Sequence, residues 1–117
     1  MTYLLLVMEP HGQRQARSVD EGRQVYERMT GFAGELDRRG VLRACESLKS
    51  DAEGVRVQER GGKRSLLDGP FAESKEMVGG FFLIDCDTRE QAVAIAAQCP
   101  AAQWATVEVR EVGPCYL

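Results

Sequence analysis

Tyr3–Met8 and Phe81–Ile84 of this 117-residue chain are strand-length runs apolar at every position. Runs this short suit strands rather than helices, and a strand without polar alternation has to be covered on both of its faces. Glu9-Pro10 ends the first run and Asp85-Cys86-Asp87 ends the second. Any fold for this chain must therefore supply two layers of cover for two separate strands.

The segments between and around these runs supply only one. Ser18-x-x-Glu21 forms a capping-box pattern, and beyond it Val25, Met29, Phe32 and Leu36 recur at spacings of four, three and four, which predicts an amphipathic helix. Gly22 falls near its apolar stripe and is expected to let the helix approach a sheet closely. Gly31 and Gly34 lie opposite, each glycine costs about 1 kcal/mol against alanine, and Gly40 is placed to end the helix. Val41–Leu48 reads as a strand with Leu42, Ala44, Glu46 and Leu48 on one face and Arg43, Cys45 and Ser47 on the other. Val55–Arg60 and Lys63–Leu67 flank Gly61-Gly62, a two-residue hairpin turn, and are expected to form an exposed flap. Downstream, Asp87-x-x-Glu90 and Thr88-x-x-Gln91 offer overlapping caps for a helix with Ala92, Ile95, Ala96 and Cys99 on its apolar side, stopped by Pro100. Thr106–Val112 alternates as a strand buried on one side. With the hairpin set aside the order is β-α-β-β-α-β, the split arrangement of an α+β ferredoxin-like fold, within a single domain spanning 1–117.

Both helices of that fold lie on one side of its sheet. The other side would expose the second faces of the two apolar runs, a larger patch than monomers tolerate, so a homodimer with sheet packed on sheet is expected, with a closed core or a cleft at the rim. Fifteen basic and eighteen acidic residues, interspersed to a net charge of −3, argue against a nucleic-acid partner, which needs clustered Lys and Arg. Met1–Met8 lacks a basic leader, adequate length and a small-residue cleavage site, so neither a signal peptide nor a membrane span is expected. Cys45, Cys86, Cys99 and Cys115 have no paired short spacing, which disfavours a zinc knuckle or redox pair and suits reduced thiols in a cytoplasmic protein.

Between the hairpin and the second apolar run stands Leu67-Asp-Gly-Pro-Phe71, a turn in which Gly69 can take positive φ, Pro70 fixes its own φ and pushes Gly69 away from the helical region, and Asp68 can hydrogen-bond forward to the backbone. Such a turn can hold a carboxylate in one place. The block Leu67-Asp-Gly-Pro-Phe-Ala-Glu-Ser-Lys-Glu76, followed by Gly79-Gly-Phe-Phe-Leu-Ile-Asp85, closely resembles the signature of the DGPF branch of the YCII-related family, and Tyr3–Val7 and Val107–Arg110 are similar to that family's first and last strands. The resemblance implies a dimeric α+β barrel of ferredoxin-like subunits, related in shape to muconolactone isomerases. It implies little about function: some members are suspected of enzymatic activity around a His and Asp pair, and some occur beside sigma factors.

Neighbouring antiparallel first and third core strands would bring the loop bearing His11 and Arg14 beside the turn bearing Asp68, Glu73 and Lys75, with Glu46 and Ser47 at the same edge. His11 could act as a general acid or base oriented by Asp68, because imidazole titrates near neutrality; a solvated loop histidine and a turn-making aspartate account for the same residues. Glu73 and Lys75 could simply pair on the surface. Arg14 and Arg17, just before a helix N-terminus, could hold a carboxylate or phosphate. Phe82 could line a cavity. One histidine and no ligand cluster leave no metal site, and there is no phosphate loop, dinucleotide fingerprint or nucleophile elbow, so no cofactor is expected. Two functions fit: a small cytoplasmic dimer that binds a small organic molecule at a barrel-rim cleft, with cofactor-free acid–base chemistry at His11 and Asp68 and binding contacts from Arg14, Glu46, Glu73 and Phe82; or a non-catalytic regulatory or interaction module working through its dimer surface.

Overall fold

The computed structural model describes residues 1–116. Along the chain run β1 (Thr2–Pro10), α1 (Val19–Arg38), β2 (Leu42–Ser47), a 3-10 turn (Asp51–Glu53), β3 (Val55–Arg60), β4 (Lys63–Asp68), β5 (Glu76–Asp85), α2 (Arg89–Gln98), a second 3-10 turn (Pro100–Gln103) and β6 (Thr106–Glu111). β2, β5, β1 and β6 form a four-stranded sheet in that order, and β3 and β4 form a separate two-stranded ribbon. All pairings are antiparallel. With its two helices and antiparallel sheets the chain is mixed α+β, compatible with a ferredoxin-like α+β fold. The two fully apolar runs became β1 and β5, the adjacent central strands.

Along β1 the odd residues Tyr3, Leu5, Val7 and Glu9 are buried, and the even residues Leu4, Leu6 and Met8 are half-buried on the opposite face. Tyr3, Leu5 and Val7 join Phe82 and Ile84 of β5, Phe32 and Leu36 of α1 and Ala92, Ile95 and Ala96 of α2 in one core. Each large apolar side chain so buried contributes roughly 1.5–3 kcal/mol. Phe32 meets Phe82 edge to face, with ring centroids 5.2 Å apart. The small residues of α2 let it sit close, whereas α1 needs Phe32 and Leu36 to reach the sheet.

The helix ends follow their sequence signals. Ser18 accepts from the Glu21 N–H at 3.1 Å while the Glu21 carboxylate accepts from the Ser18 N–H at 3.0 Å. Gly40, at φ +74°, closes α1 with its N–H on Asp37 O while the Val41 N–H reaches Leu36 O, a Schellman arrangement. Thr88 and Gln91 make the reciprocal cap of α2.

Two irregularities change how the strands face. Between Leu42 and Ala44 the β2–β5 register slips, so Leu42 and Cys45 pair with the core-facing Ile84 and Phe82 while Ala44 and Glu46 pair with Leu83 and Phe81. The simple alternation expected for β2 is thus broken by one extra residue, Arg43, as in a β-bulge. A second slip between Val7 and Met8 leaves Gly79 as the extra residue of β5.

The hairpin turns at Gly61 (φ +56°) and Gly62 (φ +77°), which gives the two successive positive φ values of a tight type I′ connection. Every residue of β3 and β4 is exposed. The expected flap is an arm.

Candidate functional site

On the helix-covered side of the sheet, α1 stands away from β1, β5 and β2 and leaves a cleft of about 450 Å³. Val7, Cys45 and Phe82 form its floor from the sheet, and Val25, Met29 and Ala33 face them from α1. Gly22 also lines it, and a Cβ there would meet nothing within 4 Å. The expected role of Gly22 is therefore corrected: its missing side chain leaves the helix–sheet gap open instead of closing it. Arg17, Tyr26 and Trp104 stand at the same cleft, with the Arg17 and Arg28 guanidinium groups 5.8 and 5.0 Å from the Trp104 ring centroid.

A buried ion pair closes one end of the cleft. Glu9 is only 8% exposed and is in direct contact with Arg14, whose other nitrogens reach Leu48 O at 2.8 Å and Gly79 O at 3.4 Å. The pair is possible because position 79 lacks a side chain: a Cβ there would stand 2.3 Å from Glu9 Oε2 and 3.2 Å from an Arg14 terminal nitrogen. Arg14 therefore ties the loop after β1 to the end of β2 and to the bulge of β5. Expected as an anion holder, it has its fork committed to one carboxylate and two carbonyls. The N-terminus of α1 is likewise occupied by its own Ser18–Glu21 cap. Of the two arginines proposed as an anion site, Arg17 keeps its guanidinium on an aromatic face rather than on a carboxylate within ion-pair distance among the described residues.

The histidine loop does lie beside the segment following the turn, with the His11 N–H on Lys75 O at 3.2 Å. The carboxylate next to the imidazole, however, belongs to Asp51. His11 Nε2 is 3.2 Å from Asp51 Oδ2, without the alignment of a hydrogen bond, and the side chains keep 25% and 14% exposure. The same Asp51 oxygen accepts from the Phe71 N–H at 3.3 Å, so Asp51 performs the capping expected of Asp68. Asp68 itself is exposed at the end of β4, opposite Val55.

The Leu67–Phe71 turn accounts for this. A Cβ at Gly69 would stand 1.7 Å from the Asp51 carbonyl oxygen, and the Gly69 N–H bonds Gly54 O at 2.9 Å. Gly69 is thus needed for close approach and does not use the positive φ open to it: the positive-φ glycines among the described residues are Gly12, Gly40, Gly61 and Gly62. Phe71 is 7% exposed and carries the Arg56 guanidinium 3.8 Å from its ring centroid. Glu73 pairs with that Arg56 at 3.2 Å, not with Lys75. The whole turn grips the Ser50–Gly54 segment, and with it Asp51. A second, more open hollow of about 520 Å³ borders Asp51, Phe71, Met77 and Glu76.

The residues singled out from sequence therefore separate. Arg14, Glu46 and Phe82 line the cleft, whereas His11, Asp68 and Glu73 do not. Glu9 and Asp51 were missed. The signal for Glu9 was available: a lone carboxylate continuing the odd-numbered buried face of β1, five residues before an arginine. Asp51 lies in an irregular connection whose position no periodicity could give. Cys45, although on the cleft floor, is no ready nucleophile: burial first, then the Glu46 and Asp37 carboxylates, push its thiol above the usual range and keep it protonated at neutral pH.

Among known proteins, the chain is 28% identical over 96 residues to the uncharacterized protein R00369 of Rhizobium meliloti (strain 1021), an alignment covering 82% of this chain and 77% of that protein. The model of the YCII-related domain matches residues 1–115. A match of that extent includes both helices, every strand and both glycine-dependent contacts described above, and the chain belongs to the YCII-related family.

Proposed function

We propose that this protein binds a small organic molecule in the cleft between α1 and the sheet. The observation that carries the reading is the gap itself: about 450 Å³ bounded by apolar side chains, with charged side chains confined to Glu9, Arg14 and Arg17, since Glu46 borders the gap but pairs with Phe81 on the opposite face of the sheet. That combination, an apolar body with a few placed polar groups, is the usual make-up of a ligand pocket. The carboxylate facing a bound molecule is Glu9. The His11–Asp51 pair stands outside the lining, and any acid–base chemistry by it takes place at the hollow bordering Asp51. We further assign the chain to the DGPF branch, on the strength of a turn whose Gly69 and Phe71 both engage the Asp51 segment.

The half-buried face of Leu4, Leu6, Met8, Phe81 and Leu83 supports a second element of the reading, a homodimer formed sheet to sheet. Four free thiols fit a reducing cytoplasm. Among the described residues no helix is long and apolar enough to cross a membrane.

Ligand-observed NMR and thermal shift with a panel of small organic acids, lactones and neutral aromatics test the binding reading. Gly22→Leu fills the gap from the helix side without touching the core, so hits on the wild-type chain should weaken at least tenfold in this variant. Hits that bind Gly22→Leu as well as wild type would place the ligand elsewhere and refute the assignment.

A further inference from the structure

We infer that the β3–β4 arm is an intermolecular element that packs on a second copy of this chain. The inference builds on the sheet-to-sheet dimer proposed above and adds a specific part to it.

The described chain exposes 8078 Å². A compact monomer of 13.0 kDa should expose about 6,300 Å² by the scaling of surface with mass. The excess is roughly 1,700 Å², twice the ~800 Å² that each partner of a standard interface covers and within the range of permanent homodimers. The radius of gyration, 16.0 Å, likewise exceeds the roughly 13 Å expected for this length.

The open sheet face cannot absorb that excess alone. Four strands of 9, 6, 10 and 6 residues, spaced about 4.8 Å apart with about 3.3 Å per residue, present a footprint of only about 500 Å². The arm is the other extended element. Val57 and Leu66 are cross-strand partners, 58% and 64% exposed, with Val55 (53%) on the same face, while Leu67 (56%) sits opposite Arg56 on the other. A two-stranded ribbon with bare apolar faces is marginal in water and gains stability by packing on another surface. Its base is held by Gly69 to Gly54 and by Arg56 to Phe71 and Glu73, but its outer half has no such ties.

Charge identifies the occupant. Residues 55–68 carry four basic and two acidic side chains in a chain of net charge −3, so the rest of the molecule stands at −5. Arg60 and Lys63 at the tip have no carboxylate within ion-pair distance among the described residues, whereas Glu46 on β2 and Glu108 on β6, the latter 3.9 Å from Arg110, flank the apolar strip of the open sheet face. With the two sheet faces packed on each other, a basic, apolar arm reaching the acidic body of the partner at the edge strands complements it, twice over, about a twofold axis.

Sedimentation velocity at micromolar concentration on the full chain and three variants tests this. Leu6→Asp lies on the open sheet face and probes the dimer alone. Val57→Asp/Leu66→Asp and Arg60→Glu/Lys63→Glu alter only exposed arm residues, so circular dichroism should be unchanged. Wild type should sediment as a dimer, Leu6→Asp as a monomer, and the two arm variants should dissociate at concentrations at least tenfold higher than wild type does. Arm variants that associate as wild type does, beside a monomeric Leu6→Asp, would overturn the arm assignment and leave the dimer standing. A monomeric wild type would overturn both.

Discussion

Replacing Arg14 with Met leaves the Glu9 carboxylate, 8% exposed, without its cation, and strips two further hydrogen bonds from Leu48 O and Gly79 O. Removing one partner of a buried ion pair costs about 3–5 kcal/mol when both groups are enclosed. Here Arg14 keeps 30% side-chain exposure, and water can enter where the guanidinium was, so the expected loss is about 2–3 kcal/mol. At roughly 4 °C per kcal/mol for a domain of this size, the melting midpoint should fall by about 8–12 °C. Calorimetry on wild type, Arg14→Met, Glu9→Gln and the double variant gives the coupling between the two charges. The double variant removes both and should cost less than the sum of the singles by more than 1 kcal/mol, as interacting neighbours do. A loss under about 0.5 kcal/mol for Arg14→Met, or strict additivity across the cycle, would show that the strut does not secure this end of the sheet and that the argument from Glu9 burial is wrong.

The glycines should respond in opposite directions. Gly69→Ala meets the Asp51 carbonyl and must displace the backbone of one segment, at a cost of about 1–3 kcal/mol, whereas Gly22→Ala meets nothing and should raise stability by about 0.5–1 kcal/mol through helix propensity; chemical denaturation measures both. Burial, Glu46 and Asp37 raise the Cys45 thiol, so its alkylation should be slow at pH 7 and accelerate only above about pH 9, with exposed Cys115 labelled first in a mass-spectrometric time course. Glu21 is lowered below its usual value by the Ser18 backbone N–H and hydroxyl. A carboxyl depressed in the folded state contributes stability above its unfolded value and loses it as pH falls through the folded one, so wild type should lose more stability than Ser18→Ala on acidification below about pH 4.5.

The fold was legible in the sequence because its signals are local. Two unbroken apolar runs marked the central strands, Ser18 with Glu21 and Thr88 with Gln91 marked the helix starts, and Gly61-Gly62 placed the hairpin turn. What escaped depends on how one segment meets another. The bulge at Arg43 shifts which residues of β2 face the core, and no alternation pattern encodes a single inserted residue. Gly22 gave the same signal as a packing glycine, yet the distance between α1 and the sheet is set by Phe32 and Leu36 further along the helix. His11 and Asp68 were plausible partners by strand adjacency, but the irregular chain between β2 and β3 delivered Asp51 to the imidazole first.

That delivery imposes a one-way constraint on how the chain can vary. The Asp51 carbonyl occupies the volume that any side chain at position 69 would claim, and no residue smaller than glycine exists to compensate if the Ser50–Gly54 segment moves closer. Position 69 has therefore exhausted its freedom, and every adjustment must come from the upstream segment. The conspicuous motif and the carboxylate it guards lie on different strand connections, so a change in the length of the inconspicuous one, between β2 and β3, would reset the geometry at His11 while leaving the signature intact.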